Sequence, residues 1–388
     1  MTRPASDPST ELTLAVEATR LFKEKRGIGR YVRALLPRLV AQRAGLRLVL
    51  FVKPRDIRAI EALVVRDAVL CGRAEVRPIH EMRAFDADVA WYPWNVITRA
   101  PRTGALVVTI HDVAPVTLPD PRRRAWRKNL RWRLRFGGTA RQATMVIADS
   151  AFTAAEVERT LGFPADRMRV VLLAADDLAI PPIESDDATL ARLGVARPFL
   201  LAVGAADRRK NLPLLTRAMP RIVAEHPNVT LVLAGPRPSA RVLADSERWM
   251  RTIGFVSDAE LVTLYRSAEA LLFPSTYEGF GLPVLEAMQL GTPVVGVRAS
   301  SVPEVGGDAA AWASADDDVR FAGLVNDLLA SGDVRARMRE ASLRQAARFS
   351  WDDTARRTLE AFDEAAAMAR AGIAGQQPTL VQRVFGGI

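Results

Sequence analysis

The sequence predicts an α/β protein with two parallel sheets, each covered by helices on both faces. Three observations carry this expectation. Strand-like apolar runs alternate with amphipathic helical patterns from Leu12 to about Ala347, the pattern of repeated βαβ units. A chain of 388 residues with 49% apolar content is long for one core and well sized for two. An acidic stretch from Asp176 to Asp187, carrying Pro181 and Pro182, separates the runs into two series and reads as a linker.

In the first series Leu12 to Val16, Leu46 to Val52, Val89 to Tyr92, Leu106 to Ile110, Met145 to Ala148 and Val170 to Leu173 have the length and composition of strands. Between the first two, Val32, Leu35, Leu36, Leu39 and Val40 recur at helical spacing, so one face of that helix packs on the sheet. The second series runs through Phe199 to Val203, Val229 to Leu233, Ala270 to Phe273 and Val294 to Val297. Its first helix has Asn211 as N-cap and Leu212, Leu215, Met219, Ile222 and Val223 on the buried face. The expected division is residues 1–180, residues 181–350, and a C-terminal helix and tail over 351–388. That last helix either completes the second domain or crosses back to the first. In open α/β sheets ligands bind outside the strand carboxyl ends, so the crevice between two such sheets is the expected ligand site.

Composition excludes several classes. Gly and Pro are scattered, with neither repeats nor low-complexity tracts. Cys71 is the only cysteine and forms no intrachain disulfide, and Met1 to Thr10 lack the apolar core of a signal peptide. The longest apolar runs, such as Val170 to Ala175, have strand length, far short of a membrane span. A cytoplasmic location is expected. The formal charge of +10 narrows the partners to something anionic, whether nucleic acid, a membrane surface or a phosphorylated small molecule.

The most specific segment is Glu278-Gly-Phe-Gly-Leu-Pro-Val-Leu-Glu286, which follows the strand Ala270 to Phe273 and leads to Gly291-Thr-Pro293. Pro283 suits a first helical turn, Gly291 its C-terminal cap, and Pro293 cannot continue it, so a helix of about two turns is framed. Gly279 and Gly281 let backbone N–H groups approach an anion at the helix start. The helix dipole adds roughly half a positive charge there, so a phosphate is the natural occupant. Glu278 stands before the helix and Glu286 inside it, where they touch different parts of one ligand.

Residues 254–310 closely resemble the donor-binding region of glycosyltransferase family 4, whose members share an E-x7-E motif of this spacing. The resemblance implies the GT-B fold, with two Rossmann-like doubly wound domains, and a retaining transfer from a nucleotide diphosphate sugar. In that reading Glu278 meets hydroxyls of the donor sugar and Glu286 accepts bonds from the ribose. Gly279, Phe280, Gly281 and Leu282 line the donor. The departing diphosphate needs fixed cations. Arg209 and Lys210, in Val203-Gly-Ala-Ala-Asp-Arg-Arg-Lys-Asn211, resemble the family's diphosphate loop. Ala205 stands where many members carry arginine, so that role falls to Arg209 or Arg208. No metal is then required. GDP-mannose is the best match for the donor, with UDP- and dTDP-sugars open.

In the first half, Arg26-Gly27-Ile28-Gly29-Arg30-Tyr31 joins the first strand to the first helix. It lacks the third glycine of a dinucleotide fingerprint, so a dehydrogenase reading fails. As the family's N-terminal glycine loop it makes Gly29 the phosphate neighbour. His111-Asp112 follows the buried strand Leu106 to Ile110 and resembles the family's His-Asp pair. There His111 would bond a donor-sugar hydroxyl and set its carbonyl near the anomeric carbon, rather than act as a base. Two patterns are set aside as chance. Asp86-Ala87-Asp88 matches a metal-binding D-x-D but abuts the start of a strand. The Glu278 and Glu286 pair would suit a glycosidase, which needs no phosphate cradle.

Between Arg122 and Arg135, eight of fourteen residues are Arg or Lys, with no acid among them. If helical, Trp126, Leu130 and Leu134 form one apolar line flanked by cations, and Phe136 interleaves with them. Such a helix suits an anionic bilayer surface; a plain solvated helix is the alternative. The partners expected are a nucleotide-sugar donor, a glycan or lipid-linked acceptor and an anionic membrane surface. The rivals are a nucleotide-sugar 2-epimerase of the same fold and a basic nucleic-acid-binding protein. No nucleic-acid module or aromatic stacking platform is recognisable for the latter.

Overall fold

The computed structural model describes residues 11–24, 27–101, 104–178, 185–204, 207–237, 246 and 248–373, apart from the side chain of Arg123. Met1 to Thr10, Arg26, Ala205 and much of the expected linker therefore lie outside the described residues. Among those described, the chain forms two sheets. The first takes β1 (Leu12–Glu17), β2 (Leu46–Val52), β3 (Ala74–Pro78), β4 (Val89–Tyr92), β5 (Ala105–Ile110), β6 (Met145–Ala148) and β7 (Met168–Val170) in the order β3-β2-β1-β4-β5-β6-β7. The second takes β8 (Phe199–Val203), β9 (Thr230–Ala234), β10 (Met250–Gly254), β11 (Ala270–Phe273), β12 (Val294–Val297) and β13 (Ala311–Ala313) in the order β10-β9-β8-β11-β12-β13. Every neighbouring pair is parallel. In each sheet the order reverses beside the first strand, which is the doubly wound arrangement, with its ligand crevice at the reversal.

Parallel strands buried on both faces need continuous apolar runs. β4, β5 and β6 supply them: Trp91, Tyr92, Val107, Val108, Val146 and Ile147 are fully buried. Three strands depart from the apolar pattern and were not expected. β3 is half-buried along its length and carries Glu75 and Arg77, as a sheet edge allows. β10 is also an edge, with Arg251 and Thr252 in its middle, and β13 has only three residues. The expected strand Val170 to Leu173 is corrected to Met168–Val170. Its ladder with β6 ends at Ala148 opposite Val170, and the buried residues after it belong to a loop.

The chain divides into two units, one reaching Leu173 and resuming at Trp351, the other spanning Ala174–Ser350. The returning helix Trp351–Arg370 belongs to the first unit and packs on the helix Ile28–Gln42 and on β5. Its Trp351 and Phe362 are fully buried, with ring centroids 6.2 Å from Tyr31 and 5.6 Å from Trp91 respectively. Burying each large apolar side chain is worth about 1.5–3 kcal/mol. Polar ties fix its angle: Arg43 Nη1 to Asp363 Oδ1 at 2.5 Å, Thr354 Oγ1 to the Leu172 carbonyl at 2.8 Å, and the Arg169–Glu364 ion pair.

In the second unit the helix Leu212–Glu225 buries Leu212, Leu215, Met219 and Ile222 against β8 and β9. Asn211 does precede it, but in a left-handed conformation with φ 45°, and its side chain makes no cap bond. Instead Nδ2 donates to the Ala315 carbonyl at 2.9 Å.

Candidate active site

The clustered charges of the second unit sit on two loops that leave neighbouring strands at the order reversal. One follows β8 through Gly204 to Arg208, Arg209 and Lys210; the other follows β11 to Tyr277 and Glu278. The loops are joined: the Thr276 N–H donates to the Arg209 carbonyl at 2.8 Å. Across this junction Lys210 Nζ lies 2.7 Å from Glu278 Oε1, with 17% and 15% of the two side chains exposed. Lys210 also stands 5.1 Å from the centroid of the Phe273 ring, a face that attracts the ammonium. Glycine is required just behind it. Gly204 has φ 75°, and the neighbouring Gly235, φ 124°, comes so close that a Cβ there would lie 3.2 Å from the Gly204 Cα.

Arg209 is half-buried and Arg208 exposed. Asp207 orders this turn. Its Oδ1 accepts the Arg209 N–H at 2.9 Å, and its Oδ2 lies 3.4 Å from the Arg209 guanidinium. Burial alone would raise the Asp207 carboxyl, but the Arg209 backbone and side chain and Lys210 together hold it below its ordinary value. Asp207 therefore stays a carboxylate at neutral pH.

Glu278 is held at both ends of its backbone. Its N–H donates to Ser300 Oγ at 3.0 Å, and its carbonyl accepts from Ser301 Oγ at 2.9 Å. The helix Leu282–Gln289 then starts after Gly281, whose φ of 105° suits glycine. Pro283 lies in its first turn, and Gly291, φ 71°, follows its end as the spacing predicts. Phe280 is buried against Phe349, ring centroids 6.1 Å apart, so its ring is core and only its backbone can meet a ligand. Gly279 is buried and Leu282 half-buried. Glu286 is 9% exposed, and Tyr265 Oη donates to its Oε2 at 2.9 Å. Tyr265 is a residue the sequence reading missed. The signal was an aromatic on the buried face of an amphipathic helix, indistinguishable there from core.

Gly29 and His111 belong to the first unit. Gly29 is buried inside the first turn of its helix, where any Cβ would run into the Glu24 carbonyl. Its glycine is explained by that close backbone approach, without a phosphate. His111, directly after β5, is 8% exposed and has both ring nitrogens occupied. Nδ1 lies 2.6 Å from Asp149 Oδ2, and Nε2 lies 2.9 Å from the Pro93 carbonyl. Its N–H donates to Asn95 Oδ1 at 2.6 Å. The ring thus has no nitrogen to spare for a sugar hydroxyl, against what the resemblance implies. Burial would lower the His111 pKa, yet the Asp149 carboxylate and the Pro93 carbonyl outweigh it and the net shift is upward. Asp149, Asn95 and Pro93 were also missed. The readable signal was Asp149 before Ser150 at the carboxyl end of β6, the same station His111 holds on β5.

Asp88 lies at the amino end of β4, where its Oδ2 accepts the Thr13 N–H at 2.8 Å. That gives the D-x-D match a structural explanation. The basic segment forms a short turn and then the helix Trp126–Gln142. Trp126, Leu130 and Leu134 are 59%, 47% and 37% exposed, one apolar line at i, i+4, i+8. Phe136 is fully buried and is removed from that line. Arg127 covers the Trp126 ring at 5.4 Å. Among the described residues, no helix is long and apolar enough to cross a membrane.

The sequence matches two family models in succession, Glycosyltransferase Family 4 over residues 25–177 and Glycosyl transferases group 1 over residues 191–345. The O-antigen chain mannosyltransferase B of Escherichia coli is 32% identical over 270 residues, which is 66% of this chain and 69% of that protein. Among solved structures, sucrose-phosphate synthase from Thermosynechococcus elongatus superposes with a TM-score of 0.67 at 19% identity, covering 92% of this chain and all of that one. Anabaena HepE in complex with UDP-glucose also reaches 0.67, at 16% identity, covering 91% of this chain and all of that one. The two doubly wound sheets, the Glu278 to Glu286 segment and these matches lead to one conclusion: the chain belongs to the family 4 glycosyltransferases and has the GT-B fold.

Proposed function

We propose that the chain transfers mannose from GDP-mannose, with retention of configuration and without a metal ion, to a glycan or lipid-linked acceptor in polysaccharide or glycolipid synthesis. The observation that carries this reading is the Lys210–Glu278 contact across the order reversal of the second sheet. A cation for the leaving diphosphate and a carboxylate for sugar hydroxyls stand side by side there. Lys210 and Arg209 stabilise charge developing on the diphosphate, as preorganised cations do in a partly buried site. Gly281 and the N-terminus of the helix Leu282–Gln289 offer backbone N–H groups to the same group. Glu286 receives the ribose. A diphosphate oxygen takes the acceptor proton in the retaining pathway, so no protein base is required. The mannosyl donor is favoured by the O-antigen mannosyltransferase relative.

The enzyme works on the cytoplasmic side, in keeping with its single exposed cysteine, Cys71. The helix Trp126–Gln142 brings it to the inner membrane face through its exposed apolar line and flanking arginines. Each such cation adds about 1 kcal/mol near an anionic surface.

The experiment is a transfer assay with GDP-mannose, UDP-glucose and dTDP-sugars, with and without EDTA and with anionic or neutral vesicles present. GDP-mannose should be used fastest, the product should keep the α-linkage by NMR, EDTA should leave the rate unchanged, and anionic vesicles alone should pellet the enzyme. Preference for another nucleotide, an inverted product, rescue by manganese after EDTA, or equal pelleting with both vesicles would each remove the corresponding part of the reading.

A further inference from the structure

The His111 ring is enclosed more completely than a ligand-binding imidazole needs. The carbonyl oxygen of Pro93 can only accept, so the contact at Nε2 requires an N–H there. Nδ1 faces Asp149 Oδ2 at 2.6 Å, at the short side of the roughly 2.7–2.9 Å of charge-assisted N–H bonds to a carboxylate. Asp149 Oδ1 is buried and has no hydrogen-bond partner among the described residues, so the carboxylate is answered at Oδ2 alone. Three further contacts fix the His111 backbone and ring. Asn95 Oδ1 takes the N–H, Thr153 Oγ1 reaches the carbonyl at 3.4 Å, and Tyr31 packs edge-on with centroids 5.1 Å apart. Asn95 adopts a left-handed φ of 68° to do so.

The contacts come from three adjacent strand ends. Pro93 follows β4, His111 follows β5 and Asp149 follows β6, so the ring ties together the carboxyl edge of the first sheet. We propose that Asp149 is a positioning residue for sugar transfer, holding His111 as a buried imidazolium that clamps the carboxyl ends of β4, β5 and β6. This rests on reading those strand ends as the ligand side of the first unit. The titratable groups facing the ring are Asp149 from β6, Asp112 from the β5 loop, and the neutral phenol of Tyr31 from the helix Ile28–Gln42. Both acids favour the cation and burial opposes it; burial also raises the Asp149 carboxyl, which His111 offsets only in part, so it is the N–H required at Nε2 together with the short Nδ1 contact that carries the charged assignment. Loss of the proton would free Nδ1 as an acceptor facing a carboxylate, and the clamp would open at β6.

The test uses the full chain with 15N-labelled histidine. In the wild type both ring nitrogens of His111 should be of the protonated type at pH 7, above the ordinary imidazole value of about 6.5. Asp149→Asn removes the counter-charge and should lower the titration by about 1–3 pH units, the usual effect of an opposite charge in contact. The alkaline limb of kcat/KM should move down with it, while affinity for free nucleoside diphosphate, read by calorimetry, stays unchanged in the second unit and an unchanged far-UV circular dichroism spectrum reports that the first unit is folded. An unprotonated Nδ1 in the wild type overturns the proposal without any variant. So does an unmoved alkaline limb in Asp149→Asn. Absence of any sugar transfer by the wild type would strike the functional reading and with it the role of Asp149 in transfer, while the ring nitrogens would still decide the charge of the His111–Asp149 pair.

Discussion

The two units use one architecture and dispose of their charges in opposite ways. In the first, the polar groups at the strand carboxyl ends are spent on one another. His111 is held by Asp149 and Pro93, and Glu17 at the end of β1 is buried, its carboxyl raised by burial despite the Thr19 bonds that lower it. In the second, Lys210 and Glu278 pair with each other at the loop surface and keep part of each side chain in solvent. A pair of that kind can be exchanged for a ligand because each group, though largely buried, still reaches solvent. A buried pair cannot, since separating it strands a charge away from water. The second unit is built to trade its contacts and the first to keep them.

The strongest way to break this comparison is Lys210→Ala. If Lys210 is the exchangeable cation for the diphosphate, removing it should cost about 3 kcal/mol in the transition state, a hundredfold or more in kcat. The unit should remain folded, because the Glu278 carboxylate left without Lys210 still reaches solvent. Stopped-time transfer assays at saturating donor would show it. A kcat within a few fold of wild type would mean that the pair is only structural.

A smaller effect should separate the two glutamates. Glu286→Ala should weaken nucleoside diphosphate binding about tenfold to a hundredfold, the worth of hydrogen bonds to a charged group. Glu278→Ala should leave nucleotide affinity close to wild type and lower turnover. Tyr265→Phe sharpens the point, since it removes the donor at 2.9 Å that orients Glu286 without touching the carboxylate. Calorimetry on the three variants orders them; unchanged affinity in Glu286→Ala would end the ribose assignment.

What was legible in the sequence follows the same division. Long apolar runs gave β1, β2, β4, β5, β6, β8, β9, β11 and β12 because both faces of those strands are largely buried. Edge strand β3 alternates apolar and charged residues, and β10 breaks its apolar pattern with Arg251 and Thr252, both over too few positions to stand out. The loops of the second unit were readable because their residue types are fixed locally, by glycine conformation at Gly281 and by proline at Pro283. The partners of His111 were not readable. Pro93, Asn95 and Asp149 reach it from other strands, and only the sheet order brings them together. A helix pattern likewise shows Tyr265 as buried without showing that its hydroxyl faces Glu286.

The smallest predicted effect tests whether internal bonding also matters inside the unit that trades its contacts. The helix Asp258–Ser267, which carries Tyr265, begins with a capping box. Glu260 Oε2 accepts from the Ser257 N–H at 2.6 Å, and Ser257 Oγ accepts the Glu260 N–H at 3.3 Å. Arg192 Nη1 adds a contact to Oε1 at 2.6 Å, though it is 54% exposed, so solvent screening limits this pair to a few tenths of a kcal/mol. Arg192 first, and then the Ser257 bonds, bring the Glu260 carboxyl from 4.5 down to about 2. A depressed carboxyl stabilises the fold above its unfolded value and loses that contribution as the pH falls through the folded one. The stabilisation should therefore be complete above about pH 4.5 and fade toward pH 2. Glu260→Ala should cost about 1 kcal/mol at pH 7, lowering Tm by about 2–4 °C in a unit of this size. The difference between variant and wild type should shrink as the pH drops through that window, measured by calorimetric scans. A Tm difference that persists unchanged at the acid end would show that Glu260 acts through packing rather than through its charge. Nucleotide affinity should stay near wild type throughout, because the cap lies at the opposite end of the helix from the Tyr265 hydroxyl that holds Glu286.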